Sequence, residues 1–345
     1  MKPIKIIALI LAFMLLLCSC SGGKTETVTG GSYMLATGKA GGTYYSFGTC
    51  LASVWDKYTQ SSTNIATTSG SVQNIEMLLK ENADFAFVQN DILYYALEGK
   101  EMYEENPQKG LSVVANLYSE YAQFVVNASS DIKTIPELAG KTVAVGKYGT
   151  ATEAAARQIL EAYGVTYDMI TVKYQTFSEA MDGLNSGSIQ AAFAVSSLPS
   201  ANILEYSQTH EIRFLPVSLT QSAAFKRSCP FFRDGMILNE VYGTSNSVST
   251  VCIDVLLICR NNMPSADVLA VTQALFNNTD EIIAGHAKGE DINAVTAAET
   301  LIGSIHSGAR HYFENPGEEP KKNDKKDEAE TSSESEAENS SSEAE

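Results

Sequence analysis

From Tyr33 to about Asn315, short apolar runs alternate with longer stretches in which apolar residues return every three or four positions. Runs of four to eight apolar residues read as buried strands, and the longer pattern reads as helices laying one face on a sheet. "YMLAT" predicts a strand, and "YYSFGTCLASVWDKY" a helix with Phe47, Leu51, Val54, Trp55 and Tyr58 on its apolar face. "NIATT" and "DFAFVQ" are strands leading into the helices "SVQNIEMLLKEN" and "ILYYALEG", and "LSVVANL" and "YAQFVVNA" are two further strands. A second series of strands, "KTVAVG", "ITVKYQ", "IQAAFAVS" and "IRFLPV", alternates with the helices "EAAARQILEAYG", "SEAMDGLNSG" and "PSANILEYSQT". The strand "VSTVCIDVLLICR", one long helix "SADVLAVTQALFNNTDEIIAGH" and "HSGARHYFEN" complete the pattern. Strand–helix alternation predicts an α/β fold whose sheets are mostly parallel. The change of rhythm near Tyr121 predicts two lobes, 33–120 with 218–315 and 121–217, joined by strand crossings near Tyr118–Phe124 and Phe214–Ser218.

At four places a strand hands over to a helix through small or hydroxyl residues: "ATGKAGGTYYSFG", "ATTSGSVQN", "AVGKYGTATE" and "AVSSLPSAN". In a parallel sheet such junctions share the carboxyl edge, where ligands of open α/β folds bind. Each helix start presents unpaired N–H groups and the positive end of its dipole, which suits a carboxylate. Gly38, Gly41 and Gly42 allow close approach of backbone to a ligand, Thr43 starts the helix, and Tyr44 or Tyr45 offers an apolar face ending in a hydroxyl. Ser69, Gly70 and Ser71 occupy the second loop, and Phe193 lies in the strand before the last loop. Gly149, Thr150 and Thr152 occupy the third loop, where "TATE" also has the form of a capping box from Thr150 to Glu153. A phosphate-binding glycine loop is the rival, but neither the Walker pattern nor G-x-G-x-x-G is present.

The 345-residue chain is 44% hydrophobic and carries a net charge of −17. A share of the negative charge lies in a tail from Glu318 with eleven acids and four lysines and almost no apolar residue, a composition that does not fold. This balance argues against a nucleic-acid partner. At the other end, Lys2 and Lys5 precede the apolar run Ile6–Leu17, which is shorter than the ~20 residues of a spanning helix and reads as a secretory signal over residues 1–19. "LCSC" resembles the bacterial lipobox, with Leu17 and Ser19 preceding a lipidated Cys20, so the chain is expected outside the cytoplasm and anchored to a membrane by lipid. Residues 20–32 then form a tether and residues 316–345 an unfolded acidic tail.

Cys50, Cys229, Cys252 and Cys259 are too sparse to build a disulfide framework and read as buried thiols. His210, His286, His306 and His311 lack metal-ligand spacing, no G-x-S-x-G is present, and no carboxylate pair is placed for acid–base work. The chain is therefore read as a binding protein without metal or cofactor, not as an enzyme.

Four ordered segments, "GKAGGTYYSFGTCLASVW", "TTSGSVQNIEMLLKENADFAFVQND", "YGTATEAAARQIL" and "HSGARHYFEN", resemble the TAXI family of TRAP-transporter solute-binding proteins. The likeness runs from about Tyr33 to Asn315. It implies a two-lobed periplasmic-binding-protein-like fold (type II) with a two-strand hinge, closing on a small organic acid or amino acid and delivering it to a TRAP permease. Glutamate or a dicarboxylate is the ligand class so implied. The family's G-G-T-Y-Y falls on Gly41 to Tyr45, its G-S-V-x-N on Gly70, Ser71, Val72 and Asn74, and its F-V-Q-N on Phe87, Val88, Gln89 and Asn90. Its G-S-G-T-E appears as Gly149 to Glu153. Ser46 stands where proline is usual, and Lys39 and Lys147 stand in loops usually neutral, from which either can reach a ligand carboxylate. A receptor of the same fold serving an ABC importer or a sensor is an alternative, as, more remotely, is an enzyme or adhesion lipoprotein.

Overall fold

The computed structural model describes residues 31–219, 222–299 and 302–316. The signal segment, Cys20, most of the tether and the acidic tail beyond Pro316 lie outside the described residues. In chain order the elements are β1 (Ser32–Ala36), α1 (Thr43–Thr59), β2 (Ser62–Ala66), α2 (Ser71–Leu79), β3 (Phe85–Gln89), α3 (Asn90–Glu98), β4 (Leu111–Asn127) and β5 (Thr142–Ala144). They continue with α4 (Ala151–Ala162), β6 (Thr171–Lys173), α5 (Phe177–Ser186), β7 (Ala191–Ser196), α6 (Ala201–Ser207), β8 (Ile212–Phe214), α7 (Ala223–Ser228) and β9 (Arg233–Ile237). The last are α8 (Asn239–Tyr242), β10 (Val248–Arg260), α9 (Ser265–Asn277), α10 (Thr279–Gly285) and α11 (Ser307–Glu314).

The strands form one sheet in the order β2-β1-β3-β10-β4-β7-β5-β6, with β8 on β4 and β9 on β10. At one end β2, β1 and β3 are mutually parallel, and at the other β7, β5 and β6 are. Both trios are joined to the long strands β4 and β10, which pair antiparallel with each other. This is an α/β fold of two lobes, each with a parallel core, sharing two continuous strands.

The strand directions decide where the loops go. β4 runs with β3, because each pairs antiparallel to β10, while β7 runs against β4. The carboxyl ends of the two trios therefore point towards one another. Gln89 at the end of β3 aligns through Val255 with Tyr118, and Ser196 at the end of β7 pairs with Tyr121. At ~3.3 Å per residue the two edges reach β4 roughly 10 Å apart.

Several expectations are corrected here. "LSVVANL" and "YAQFVVNA" are a single strand, β4, whose burial is nearly continuous. The second shared strand is β10, not the segment Phe214–Ser218. That segment lies against the two strands, with Leu215 N–H donating to Phe124 O at 2.9 Å and Val217 N–H to Ser249 O at 2.9 Å. The long C-terminal helix is two, α9 and α10, because Asn278 leaves helical geometry and its amide caps the Ala274 carbonyl at 2.9 Å. Tyr58 does not join the core of α1: it is 46% exposed, with its hydroxyl donating to Glu281 at 2.9 Å.

The remaining face of α1 buries Phe47, Leu51, Val54 and Trp55 as the periodicity predicts. These pack with Phe85 and Phe87 of β3 and with Leu275 and Phe276 of α9 in one apolar cluster. Fully burying such a side chain stabilises by ~1.5–3 kcal/mol, so this face rather than helix propensity holds α1 in place.

Candidate functional site

Three loops of the first trio are bolted together by one buried side chain. Asn74, in α2, donates its amide to Thr37 O and to Phe87 O, both at 2.7 Å, and accepts from Thr68 Oγ1 at 2.6 Å. Thr68 Oγ1 also lies 3.0 Å from Thr37 O. The ends of β1, β2 and β3 are thus tied through a residue with no exposed surface. Asn74 carries the last position of G-S-V-x-N, and its work is positioning.

Of the glycines in the first loop, Gly41 has φ +81°, in the region that disfavours side chains, whereas Gly42 has φ −88° and is the N-cap of α1. The α2 N-cap is Gly70, at φ +118°, and a side chain added there meets no atom within 4 Å. Backbone conformation, not lack of room, requires glycine at that point.

Tyr44 packs edge-on against Phe87 at 5.5 Å between ring centres. Ser71 Oγ accepts from Gln89 N–H at 3.1 Å. Gln89 is buried and donates its side-chain amide to Glu120 of β4. Asn90 donates to Phe231 O at 3.2 Å, while its own side-chain oxygen is buried and without a partner. Thr43, Tyr44, Ser71, Gln89 and Asn90 therefore start or end elements at the same edge. Tyr45 lies half-buried on the next position of α1. Ser69 is exposed, with both its N–H and its hydroxyl donating to Gln73 Oε1, at 2.8 and 3.0 Å.

On the opposite edge Thr150 caps α4, accepting from Glu153 N–H at 3.3 Å and donating to Lys147 O at 2.7 Å. Only half of the expected capping box forms. The Glu153 carboxylate turns instead to the Tyr167 hydroxyl, at 2.9 Å, with Arg157 Nε 4.0 Å away. Gly149, at φ +71°, is exposed, and Thr152 is half-buried beside Gly146. Lys147 is ion-paired to Glu179 at 3.0 Å, so its charge is engaged beside its own loop, while Lys39 is exposed. Phe193 is buried completely, its ring 4.3 Å from that of Phe124, and serves the apolar core.

The two edges touch. Thr43 Oγ1 lies 3.3 Å from Ser197 Oγ in the loop after β7. Elsewhere Gln158 of α4 donates to the Tyr95 hydroxyl of α3 at 2.6 Å, and Arg157 pairs with Glu101. A cavity of about 460 Å³ lies beside the Thr43–Ser197 contact, walled by Tyr118 and Tyr121 of β4, Leu198, Arg233, Met236 and Lys288. Of the four junction loops singled out from the sequence, only the last reaches it, through Leu198. The first and last loops touch at Thr43 and Ser197, and this cavity lies along the part of β4 where the edges meet.

The sequence is described by the NMT1-like family model over residues 35–317, most of the chain. The chain belongs to the NMT1-like family. Solved structures that align with it at low identity include the periplasmic aliphatic sulphonate binding protein SsuA from Escherichia coli, at 14% identity, 77% of this chain, 80% of that one and a TM-score of 0.45. Another is a TctC solute binding protein from Polaromonas, at 16% identity, 84% and 94% coverage and a TM-score of 0.49. A third is MatC from Rhodopseudomonas palustris with bound malate, at 13%, 75% and 88%, and 0.48.

In this NMT1-like chain the groups that sequence reasoning missed are the carboxylates at the junction. Glu120 is 8% exposed, and burial pushes its carboxyl up to about 7, against the opposing pull of the Gln89 amide and Lys288. Asp91 has no exposed surface; burial, helped by the Glu120 charge, pushes it up to about 7 as well, while the Ile92 N–H opposes. Burial, then Glu120, also raise the Tyr44 and Tyr118 hydroxyls well above the usual phenol range. One signal was readable: Glu120 is the one charged residue in a strand whose other polar residues are neutral, and charges are rarely buried without a task. Among the described residues no group of His, Cys, Asp and Glu is placed to hold a metal ion, and no helix is long and apolar enough to cross a membrane. The four cysteines among the described residues are free.

Proposed function

We propose that this chain is an extracytoplasmic solute-binding receptor of the periplasmic-binding-protein type, holding a small carboxylate between its lobes. The observation that carries the reading is the opposition of the two carboxyl edges on shared strands, with Thr43 and Ser197 in contact across them. The helices that begin at Thr43, Ser71, Asn90 and Ala151 follow strands of the two facing edges, and on this reading a solute carboxylate is held by those first-turn N–H groups that no side chain already caps, as Thr150 caps Glu153 and Asp91 caps Ile92. Each such helix end contributes ~0.3–1 kcal/mol, up to ~2 when partly buried. With charge interactions screened beyond roughly 8 Å at physiological salt, local donors outweigh the overall negative charge.

The finer reading follows from the motifs. On the resemblance to the TAXI family, the receptor delivers its solute, such as glutamate or a dicarboxylate, to a TRAP permease, and a lipid on Cys20 tethers it to the membrane surface. Its ligand-contacting set comprises Gly42, Thr43, Tyr44, Tyr45, Ser69, Gly70, Ser71, Gln89, Asn90, Gly149, Thr150 and Thr152. The body divides into lobes near residues 120 and 217, and closure bends β4 and β10 where they leave one lobe for the other. Calorimetric titration of the protein with amino acids and dicarboxylates tests the binding role: micromolar binding of at least one is expected, and silence across the panel overturns it.

A further inference from the structure

Glu120 stands midway between the two edges. It follows Tyr118, which aligns with the end of β3, and precedes Tyr121, which pairs with the end of β7. One carboxylate oxygen accepts from the Gln89 amide. Buried polar atoms without partners lie on the neighbouring elements: two acceptor oxygens and one phenol hydroxyl, which can donate as well as accept. Asp91 Oδ2, Asn90 Oδ1 and the Tyr118 hydroxyl are all buried and have no partner, although the three residues are at most 4% exposed. The charge nearest in effect to the Tyr118 hydroxyl is that of Glu120. Lys288 is the cation whose field reaches Glu120, but its ammonium pairs with Asp291 at 2.7 Å and lies 5.5 Å from the centre of the Tyr118 ring. Two buried carboxyl groups and a set of orphaned oxygens are costly unless something positive or hydrogen-rich completes them.

We propose that Glu120 is a specificity-determining residue that receives a protonated nitrogen of the solute, so that the site takes zwitterions carrying both an ammonium and a carboxylate and rejects acids lacking the nitrogen. This rests on the solute-binding reading above and narrows it. The carboxylate of the solute meets the helix starts, and its ammonium meets Glu120, with the Asn90 and Asp91 oxygens as further acceptors. A dicarboxylate of the same length leaves those oxygens unmet and places a second negative charge against Glu120.

The test is titration calorimetry of the full chain with matched sets: each common amino acid, the acid lacking its α-amino group and the amine lacking its α-carboxyl. The expected result is that at least one amino acid binds and that its deaminated acid binds at least 30-fold more weakly. Glu120→Gln should cut that preference to threefold or less. Glu120→Asp, which keeps the charge but retracts it, should retain part of the preference, so a folding defect in one variant does not decide the matter. Thermal melts show whether each variant is folded. Equal binding of an amino acid and its deaminated acid overturns the role of Glu120 while leaving the receptor reading intact, as does an unchanged preference in folded Glu120→Gln. Amines that bind as well as their amino acids overturn the carboxylate cradle instead. No binding by any compound overturns both.

Discussion

Thr43 Oγ1 and Ser197 Oγ, 154 positions apart in sequence, lie 3.3 Å from each other and join the start of α1 to the loop after β7. Ser197 is 4% exposed and Thr43 half-buried, so the contact is partly sheltered from water and bridges the two edges without a solute. Thr43→Ala should weaken solute binding by about 1–3 kcal/mol if it leaves a buried partner unmet. Ser197→Ala should shift the free protein towards a more open form. Small-angle scattering with and without solute checks this, and a free-state radius unchanged by both substitutions counts against the contact as a closure device.

Asn74 is the second lever. Replacing it with alanine strips the Thr37 and Phe87 carbonyls and the Thr68 hydroxyl of a shared partner inside the protein. Unmet buried groups cost ~1–3 kcal/mol each, so Asn74→Ala should lower unfolding free energy by at least about 2 kcal/mol in urea titrations. Solute affinity should fall with it, since three loops lose their common tie.

The first glycine loop separates two superficially equal positions. Gly41→Ala forces a side chain into φ +81° and should cost roughly 1–2 kcal/mol of stability. Gly42→Ala, at φ −88°, should cost less because its backbone is ordinary, although the added carbon comes within a tight 3.2 Å of the Lys39 carbonyl oxygen, which has to give slightly. Denaturation midpoints of the two variants check the order.

The buried carboxyls set a pH dependence with a definite sign. Glu120 and Asp91 titrate near 7 in the folded chain, against about 4 when unfolded. Between those values the native state holds protons that the unfolded chain has released, so these groups contribute stability at low pH that is lost as pH rises from about 4 through 7. His286 and His306, lowered chiefly by burial, act in the opposite sense, losing stability as pH falls. The carboxyl contribution is therefore isolated by difference. Between pH 5 and 8 the solute-free protein should lose more melting temperature than Glu120→Gln or Asp91→Asn does, and equal slopes would show that the carboxyls ionise normally.

Much of the architecture was readable along the chain because burial and periodicity are local. The thirteen residues of β10 were outlined in full, and the buried stripe of α1 was correct apart from Tyr58, whose hydroxyl found Glu281 on α10. Thr150 was recognisable as a cap, because an N-cap concerns only the next few residues. Its partner was misread, since Tyr167 and Arg157 compete for Glu153 from positions that a local pattern does not contain. Phe193, a ligand-binding candidate from its place in the strand before the last loop, has Phe124 of β4 as its neighbour, and the two rings bury each other in the core. Lys147 reads from the sequence as able to reach a ligand carboxylate, and the fold sets it beside Glu179 of α5 in a half-exposed ion pair that the local pattern does not contain.

The sequence alone determined which segments are strands and helices, which loops carry small residues and where glycine must stand, because those properties depend on a residue and its near neighbours. Only the tertiary structure decided that Glu120 and Asp91 are buried near one another between two facing sheet edges, and that Asn74 ties three strand ends. Burial, desolvation and the choice of hydrogen-bond partner depend on what the fold brings from far along the chain, and a linear pattern does not specify them.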